Sequence, residues 1–267
     1  KRDYVSKMIE VKNLICGYKN FLLKDINIRI NKGEFVGIIG PNGSGKTTLL
    51  KAIARIIKPK SGEIFLDGKP LSKMSFLEIA KKISIVSKEL DIDFITVEEF
   101  VLLGRLPHYK SFQFFETKED LEIVNKCMEL VGVIKFKDRY LKELSAGERQ
   151  LVYIAKALAQ EPKVLLLDEP TSHLDISFQV KVFNIIKRLN RDLKITIISV
   201  FHDLNLASEY CDRLILLDSG KIYKDSQPED ILNYKIIEDI YKTKVIEAKN
   251  PISGKPYIFL ITEEKWL

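Results

Sequence analysis

Short apolar runs alternate along this chain with stretches in which apolar residues recur at helical spacing, a rhythm that predicts a mostly parallel β-sheet flanked by helices. The runs at residues 33–40, 83–86, 163–168, 195–201 and 213–218 read as strands. Nearer the start, residues 9–11, 26–30 and 64–66 have β character beside Gly, Asn and Asp turn residues, which predicts a small antiparallel layer. From about residue 96 to 160 the pattern changes. Leu121, Val124, Met128 and Val131 recur at helical spacing there, and strand signals are missing. The expectation is an α/β fold in one domain, 8–267, whose core is 8–90 and 161–267 and whose helical subdomain is inserted at 91–160.

Gly40-Pro41-Asn42-Gly43-Ser44-Gly45-Lys46-Thr47 matches G-x-x-x-x-G-K-S/T in full, with apolar residues 35–39 before it and a helix-compatible segment, 48–57, after it. Wrapping a backbone round a polyphosphate requires N–H groups close to the oxygens with no Cβ in the way, and glycines supply that. The helix start at Thr47 and Thr48 adds its dipole and unpaired N–H donors. Lys46 suits a position between β- and γ-phosphates, and the Thr47 hydroxyl suits Mg²⁺. A glycine-rich turn that merely contained a lysine would not need this flanking. The motif in its setting predicts the core of a P-loop NTPase that binds ATP with Mg²⁺.

Val164-Leu165-Leu166-Leu167-Asp168-Glu169-Pro170 is an uninterrupted apolar run ending in two carboxylates. A strand buried on both faces reads this way, and its carboxyl end is where α/β folds bind ligands. Asp168 can hold the Mg²⁺ hydration shell. Glu169, one residue on, points differently and can polarise an attacking water. An acidic turn after a core strand would look the same in isolation; the phosphate loop upstream is what favours chemistry.

Leu144-Ser145-Ala146-Gly147-Glu148 precedes an apolar pattern at Leu151, Ile154, Ala155 and Leu158. Ser145 and Glu148 have the spacing of a capping box, in which each side chain satisfies the other's backbone N–H. The same residues resemble the LSGGQ signature of the ABC ATPase family, with Ala146 in place of a Gly and Glu148 in place of a Gln. The two readings are compatible. The order of motifs, phosphate loop, helical insert, signature and acidic strand, agrees with the resemblance.

The resemblance implies that Ser145, Gly147 and Glu148 face the γ-phosphate held by a second copy of the chain, in a head-to-tail dimer that closes on ATP. It further implies that Tyr18 stacks on adenine, and that Ser172-His173-Leu174-Asp175 is the loop communicating across the dimer. His202, in His202-Asp203-Leu204-Asn205, is the switch that reaches the γ-phosphate. Lys46, Glu169 and His202 are then the catalytic set. One position departs: Lys88 stands where the family places a Gln that touches Mg²⁺. An ammonium has donors only and cannot ligate a cation, so metal coordination is expected to rest on Thr47, Asp168 and water, unless neighbouring Glu89 takes part.

Two further stretches are similar to the subgroup serving iron–siderophore, haem and cobalamin importers. They are Thr96-Val97-Glu98-Glu99-Phe100 running into Gly104-Arg105-Leu106-Pro107-His108, and the tail Asn250-Pro251-Ile252-Ser253-Gly254-Lys255-Pro256-Tyr257. His108 has no partner at metal-ligand spacing and is not read as a metal site. The expected partners are integral membrane permease subunits and, indirectly, a substrate-binding protein, at the cytoplasmic face of the membrane.

Composition narrows this little. With 46% hydrophobic and 30% charged residues the chain suits a folded protein, and no apolar run approaches the ~20 residues that cross a bilayer. Residues 1–13 carry no apolar signal-peptide core, and Met8 reads as a natural start after a short extension. Three widely spaced cysteines, Cys16, Cys127 and Cys211, read as buried reduced thiols. The net charge of +6 is compatible with a polyphosphate, an anionic membrane or nucleic acid. A nucleic-acid-acting relative is disfavoured, because no basic stripe interleaved with aromatics appears and no sustained heptads separate the loop from the signature. A P-loop kinase leaves the signature unexplained. A non-catalytic regulatory cassette would not need Lys46, Asp168, Glu169 and His202 intact. An importer of another metal ion remains an alternative.

Overall fold

The computed structural model describes residues 6–87 and 94–262, and by its internal contacts the chain forms two compact units, residues 1–73 with 196–267 and residues 74–195. In the first stretch, β1 (Lys7–Tyr18) and β2 (Phe21–Asn31) form an antiparallel hairpin, with Ile9 opposite Ile30 and Val11 opposite Ile28. The inward face is apolar: Leu14, Cys16, Leu23, Ile26 and Ile30 are all fully buried. β3 (Phe35–Ile39) has no polar side and is buried throughout. α1 (Lys46–Ile53) follows, and then β4 (Ser61–Leu66) and β5 (Lys69–Pro70) extend the hairpin into the expected antiparallel sheet, ordered β2-β1-β4-β5.

The helix expected over 48–57 begins at Lys46 and stops at Ile53. Arg55 adopts φ 58° and the Ile56 N–H turns back to the Lys51 carbonyl, so the chain leaves the helix through a left-handed residue.

The second unit runs through α2 (Phe76–Ala80), β6 (Ile83–Val86), α3 (Val97–Leu102), α4 (Lys118–Val131), α5 (Ala146–Ala159), β7 (Val164–Asp168) and α6 (Ile176–Leu193). β6 and β7 pair in parallel, Ile83 with Val164 through Val86 with Leu167. Four helices start on reciprocal capping boxes: Ser75 with Glu78, Thr96 with Glu99, Thr117 with Asp120, and Ser145 with Glu148. Each box satisfies two backbone donors that a helix N-terminus leaves over. α4 ends where Gly132 takes φ 78°.

Arg105 is the buried fastener of this unit. Its Nε donates to Asp120 at 2.9 Å, and its Nη1 donates to the Ala159 carbonyl at 2.8 Å and to Glu161 at 2.7 Å. Beside it the His108 ring nitrogen lies 2.9 Å from the Gln160 carbonyl, so both residues hold the C-terminal end of α5. Burial pushes the Asp120 carboxyl up, but hydrogen bonds from Thr117 and Arg105 outweigh it and hold it at about 2. A depressed carboxylate stabilises the fold above its ordinary value of 3.8, and that contribution is lost as pH falls through about 2. Arg105→Met should therefore destabilise the protein by about 3 kcal/mol at neutral pH, because Asp120 would remain buried without its cation. In denaturant unfolding the gap between variant and parent should narrow below pH 4, as Asp120 becomes neutral.

The chain then returns to the first unit. β8 (Thr196–Val200) pairs in parallel with β3, as does β9 (Arg213–Asp218) on the other side, and β10 (Lys221–Ser226) closes that edge antiparallel to β9. α7 (Leu204–Tyr210) lies between β8 and β9, and α8 (Pro228–Ile231), α9 (Tyr234–Tyr241) and the hairpin of β11 (Val245–Lys249) with β12 (Pro256–Leu260) finish the unit. Arg213 links three segments by donating to Glu34, Asp225 and the Arg29 carbonyl. All three cysteines are free and buried. Among the described residues no helix is long and apolar enough to cross a membrane.

Candidate functional site

β3 is the central strand of its unit, and the loop at its carboxyl end carries Gly40 to Thr47. Gly40 takes φ 145°, and a Cβ there would fall 2.1 Å from the Leu217 carbonyl oxygen, so no other residue fits. Gly45, at φ 106°, packs against Leu23 and the Phe21 ring from the β1–β2 hairpin. Gly43 also takes a positive φ, 79°, but faces open space, and with Pro41 and Asn42 it forms the outer curve of the loop. The turn between β9 and β10 fastens the rear, where the Gly220 N–H donates to the Ser44 carbonyl.

Two side chains inside the loop have polyphosphate chemistry. The Ser44 hydroxyl is buried and has no hydrogen-bond partner, a cost of about 1–3 kcal/mol that an anionic ligand would relieve. Lys46 is 5% exposed, and its ammonium donates to the Gly40 and Pro41 carbonyls at 2.8 and 3.0 Å. A buried cation and a buried orphan hydroxyl, ringed by glycine backbone at a helix start, fit an anionic polyphosphate. Thr48 is buried under α1 and Thr47 is half-buried beside the loop.

Tyr18 ends β1 directly opposite Phe21, whose ring touches Gly45, so the exposed Tyr18 ring stands one residue pair from the loop. His202 comes to the same edge by another route. β8 lies beside β3, and the Phe201 N–H donates to the Ile38 carbonyl at 3.0 Å, so His202 emerges beside the strand end that leads into Gly40. Asp203 then caps α7, accepting from the Asn205 and Leu206 N–H groups. Tyr241, at the end of α9, also reaches the loop: burial pushes its phenol up to about 12, with a hydrogen bond from the Gly40 backbone pulling the other way.

In the second unit Asp168 ends β7 in extended backbone, whereas Glu169 flips to φ 54°, in the left-handed region. That flip costs a non-glycine residue about 1–2 kcal/mol and swings the Glu169 carboxylate away from that of Asp168. The following turn is fixed by Ser172, whose N–H and hydroxyl both donate to the Glu169 carbonyl. His173 is also left-handed, at φ 71°, and Asp175 caps α6 through the Phe178 N–H at 3.0 Å.

The signature residues open α5. The Ser145 hydroxyl donates to Glu148 at 2.8 Å and accepts from the Glu148 N–H at 3.3 Å. The Ser145 backbone and hydroxyl bonds together hold the Glu148 carboxyl below its usual range. The capping box is thus formed, and the single hydroxyl proton of Ser145 is committed to Glu148. Gly147 is buried against α6: a Cβ there would meet the Phe178 ring at 2.3 Å. The Asp175 cap and the signature are therefore neighbours, a proximity that the pattern of each segment alone does not reveal. Lys88 and Glu89 lie outside the described residues. Among the described residues no cluster of three His, Cys, Asp or Glu could hold a metal by itself.

Residues 23–172 match the family model described as ABC transporter. The chain is 41% identical over 240 residues to the petrobactin import ATP-binding protein FpuC of Bacillus anthracis, covering 89% of this chain and 88% of that protein. The ferric enterobactin transport ATP-binding protein FepC of Escherichia coli K12 is 37% identical over 249 residues, with 92% of each covered. A solved structure whose description places it in the metal-chelate type of ABC transporter, in an inward-facing conformation, aligns with a TM-score of 0.84. Its identity is 26%, over 97% of this chain and 99% of that one. An ATP-binding cassette solved as a dimer in a post-hydrolysis state with ADP and Pi aligns at 0.73, with 31% identity over 83% and 99%.

Proposed function

The chain belongs to the ABC transporter family of ATP-binding cassettes, and from that premise we propose that it hydrolyses ATP to power import of an iron–siderophore complex. The buried, partnerless Ser44 hydroxyl beside the buried Lys46 ammonium is the observation that carries the reading, because both call for a polyanion. The siderophore-import names of the relatives support the cargo class. The ATPase does not itself touch that cargo.

In this reading the Gly40, Pro41, Asn42, Gly43, Ser44 and Gly45 backbone and the Thr47 and Thr48 N–H groups cradle the phosphates. Lys46 neutralises the β- and γ-phosphates, and Tyr18 stacks on adenine. Thr47 and Asp168 are the residues that would hold Mg²⁺, which when bound offsets phosphate charge. Glu169 takes the proton of the attacking water, and His202 contacts the γ-phosphate. Ser145, Gly147 and Glu148 serve the nucleotide of a second copy, so neither copy completes the chemistry alone. Ser145 must release its proton from Glu148 to donate to phosphate there, and the carboxylate at 148 makes that exchange a slower step than an amide would. Closure of the pair moves membrane permease subunits, which places the chain at the cytoplasmic membrane face. Residues 91–160 act as the subdomain that presents the signature.

A shared site has a kinetic mark. With Mg²⁺ and saturating ATP, turnover per chain should rise with protein concentration and level off only when most chains are paired. Turnover per chain that stayed flat down to the lowest measurable concentration would show a site complete in one copy.

A further inference from the structure

The tail motif at residues 250–257 has no role in the site as described so far, yet its bonds converge on one element, the seven-residue helix α7 that follows His202. A helix that short is not stable alone. Its N-terminal end is held by Asp203, and every other fastening comes from the tail. The Lys255 ammonium donates to the carbonyls of Ser208 at 3.0 Å, Glu209 at 2.7 Å and Cys211 at 3.5 Å, which places a cation on the negative end of the helix. Midway along, the Asn205 amide pairs with β12 as a strand would, donating to the Ile258 carbonyl at 3.1 Å and accepting from the Ile258 N–H at 2.8 Å. The Ser208 hydroxyl, fully buried, donates to the Pro256 carbonyl at 2.7 Å.

The turn that presents Lys255 is itself built for the purpose. Asn250 accepts from the Ile252 N–H through its side chain and from the Gly254 N–H through its carbonyl. Its own N–H donates to the Lys255 carbonyl at 2.8 Å, and Gly254 supplies the left-handed residue at φ 74°. Ser253 reaches back to Glu209 at 2.8 Å. The sequence from Asn250 to Ile258 is thus spent on gripping α7 at its side and at its carboxyl end.

We propose that this tail clamps α7 to set the position of His202, which makes Lys255 and Asn205 positioning residues for ATP hydrolysis. The inference rests on the reading of His202 as the γ-phosphate contact. His202 sits immediately before the Asp203 cap, so a tilt or slide of α7 displaces it directly. The nucleotide loop is fastened separately, by β3 and by the β9–β10 turn, and should be left in place. Releasing the clamp should therefore slow the chemical step without weakening ATP binding.

The test uses the full chain with Mg²⁺ and ATP. Lys255→Met should lower kcat by about tenfold to a hundredfold, the usual cost of misplacing a reacting group by an ångström or so. The KM for ATP should stay within about twofold, since uniform binding is untouched. Lys255→Arg, which keeps a cation at the helix end, should restore most of the loss. Should Lys255→Met give no soluble protein, Asn205→Asp takes the same measurement: it keeps the acceptor for the Ile258 N–H and removes only the donor. A kcat unchanged in a folded variant overturns the clamp, as does a loss that appears only as a lower Tm. His202→Ala is measured alongside. If it hydrolyses ATP normally, the reading of His202 fails by itself; if it is inactive while the Lys255 and Asn205 variants are normal, only the clamp fails.

Discussion

Glu169→Gln is expected to abolish ATP turnover while leaving ATP able to hold two copies of the chain together. The amide keeps the size and the hydrogen-bonding atoms of the carboxylate but cannot take a proton from water, and general-base catalysis of this kind is worth about 10²–10⁴ in rate. The backbone explains why the effect should be confined to chemistry. Glu169 is held at φ 54° by a turn whose bonds, from the Ser172 N–H and hydroxyl, go to its carbonyl and not to its side chain. Replacing the side chain leaves that turn intact, so Asp168 and the following loop stay in place. Two measurements check this: phosphate release, which should drop at least a hundredfold, and mass in solution with ATP, which should double at micromolar protein. Normal phosphate release would remove Glu169 from the role of base. A variant that neither hydrolyses nor pairs would mean that the carboxylate is needed for assembly as well.

Much of this site was legible because its parts are contiguous. The phosphate loop, the acidic strand end and the signature each lie within eight residues, and strands such as β3, β7 and β8 are buried on both faces and so read as plain apolar runs. The capping box at Ser145 and Glu148 could be read from spacing alone, and it is present. What sequence did not reveal are contacts made at a distance. Asn205 and Ile258 are 53 positions apart, and their pairing depends on a turn whose purpose emerges only once α7 is seen beneath it. The edge strand β10, with its alternately half-buried polar residues, and the half-exposed β11–β12 hairpin carry too little apolar burial to stand out as strands. The left-handed backbone of Glu169 was equally hidden, since glutamate is a residue that ordinarily avoids it; only its consequence, a carboxylate aimed apart from Asp168, was inferred. The end of α1 was misplaced by four residues for a related reason: Ile56 and Ile57 fit a helical pattern, but Arg55 has already turned left-handed.

Lys46→Ala should act one step earlier than Glu169→Gln, on nucleotide binding. The ammonium is buried and donates to the Gly40 and Pro41 carbonyls, so it both supplies the positive charge of the loop and draws its first two residues inward. Alanine removes the charge and leaves those carbonyls without that donor. Loss of one preorganised charge contact to phosphate costs about 3 kcal/mol, and ATP affinity should therefore fall on the order of a hundredfold. Lys46→Met, which keeps most of the buried stem, separates the two contributions. If charge dominates, Met should bind ATP as poorly as Ala; if holding the loop together by packing dominates, Met should recover much of the loss. Direct titration with ATP distinguishes these outcomes without relying on turnover, and Glu169→Gln, binding ATP with parental affinity in the same titration, is the control. An affinity for Lys46→Ala within twofold of the parent would show that the glycine backbone and the Ser44 hydroxyl hold the phosphates unaided, and that the lysine serves only the reaction itself.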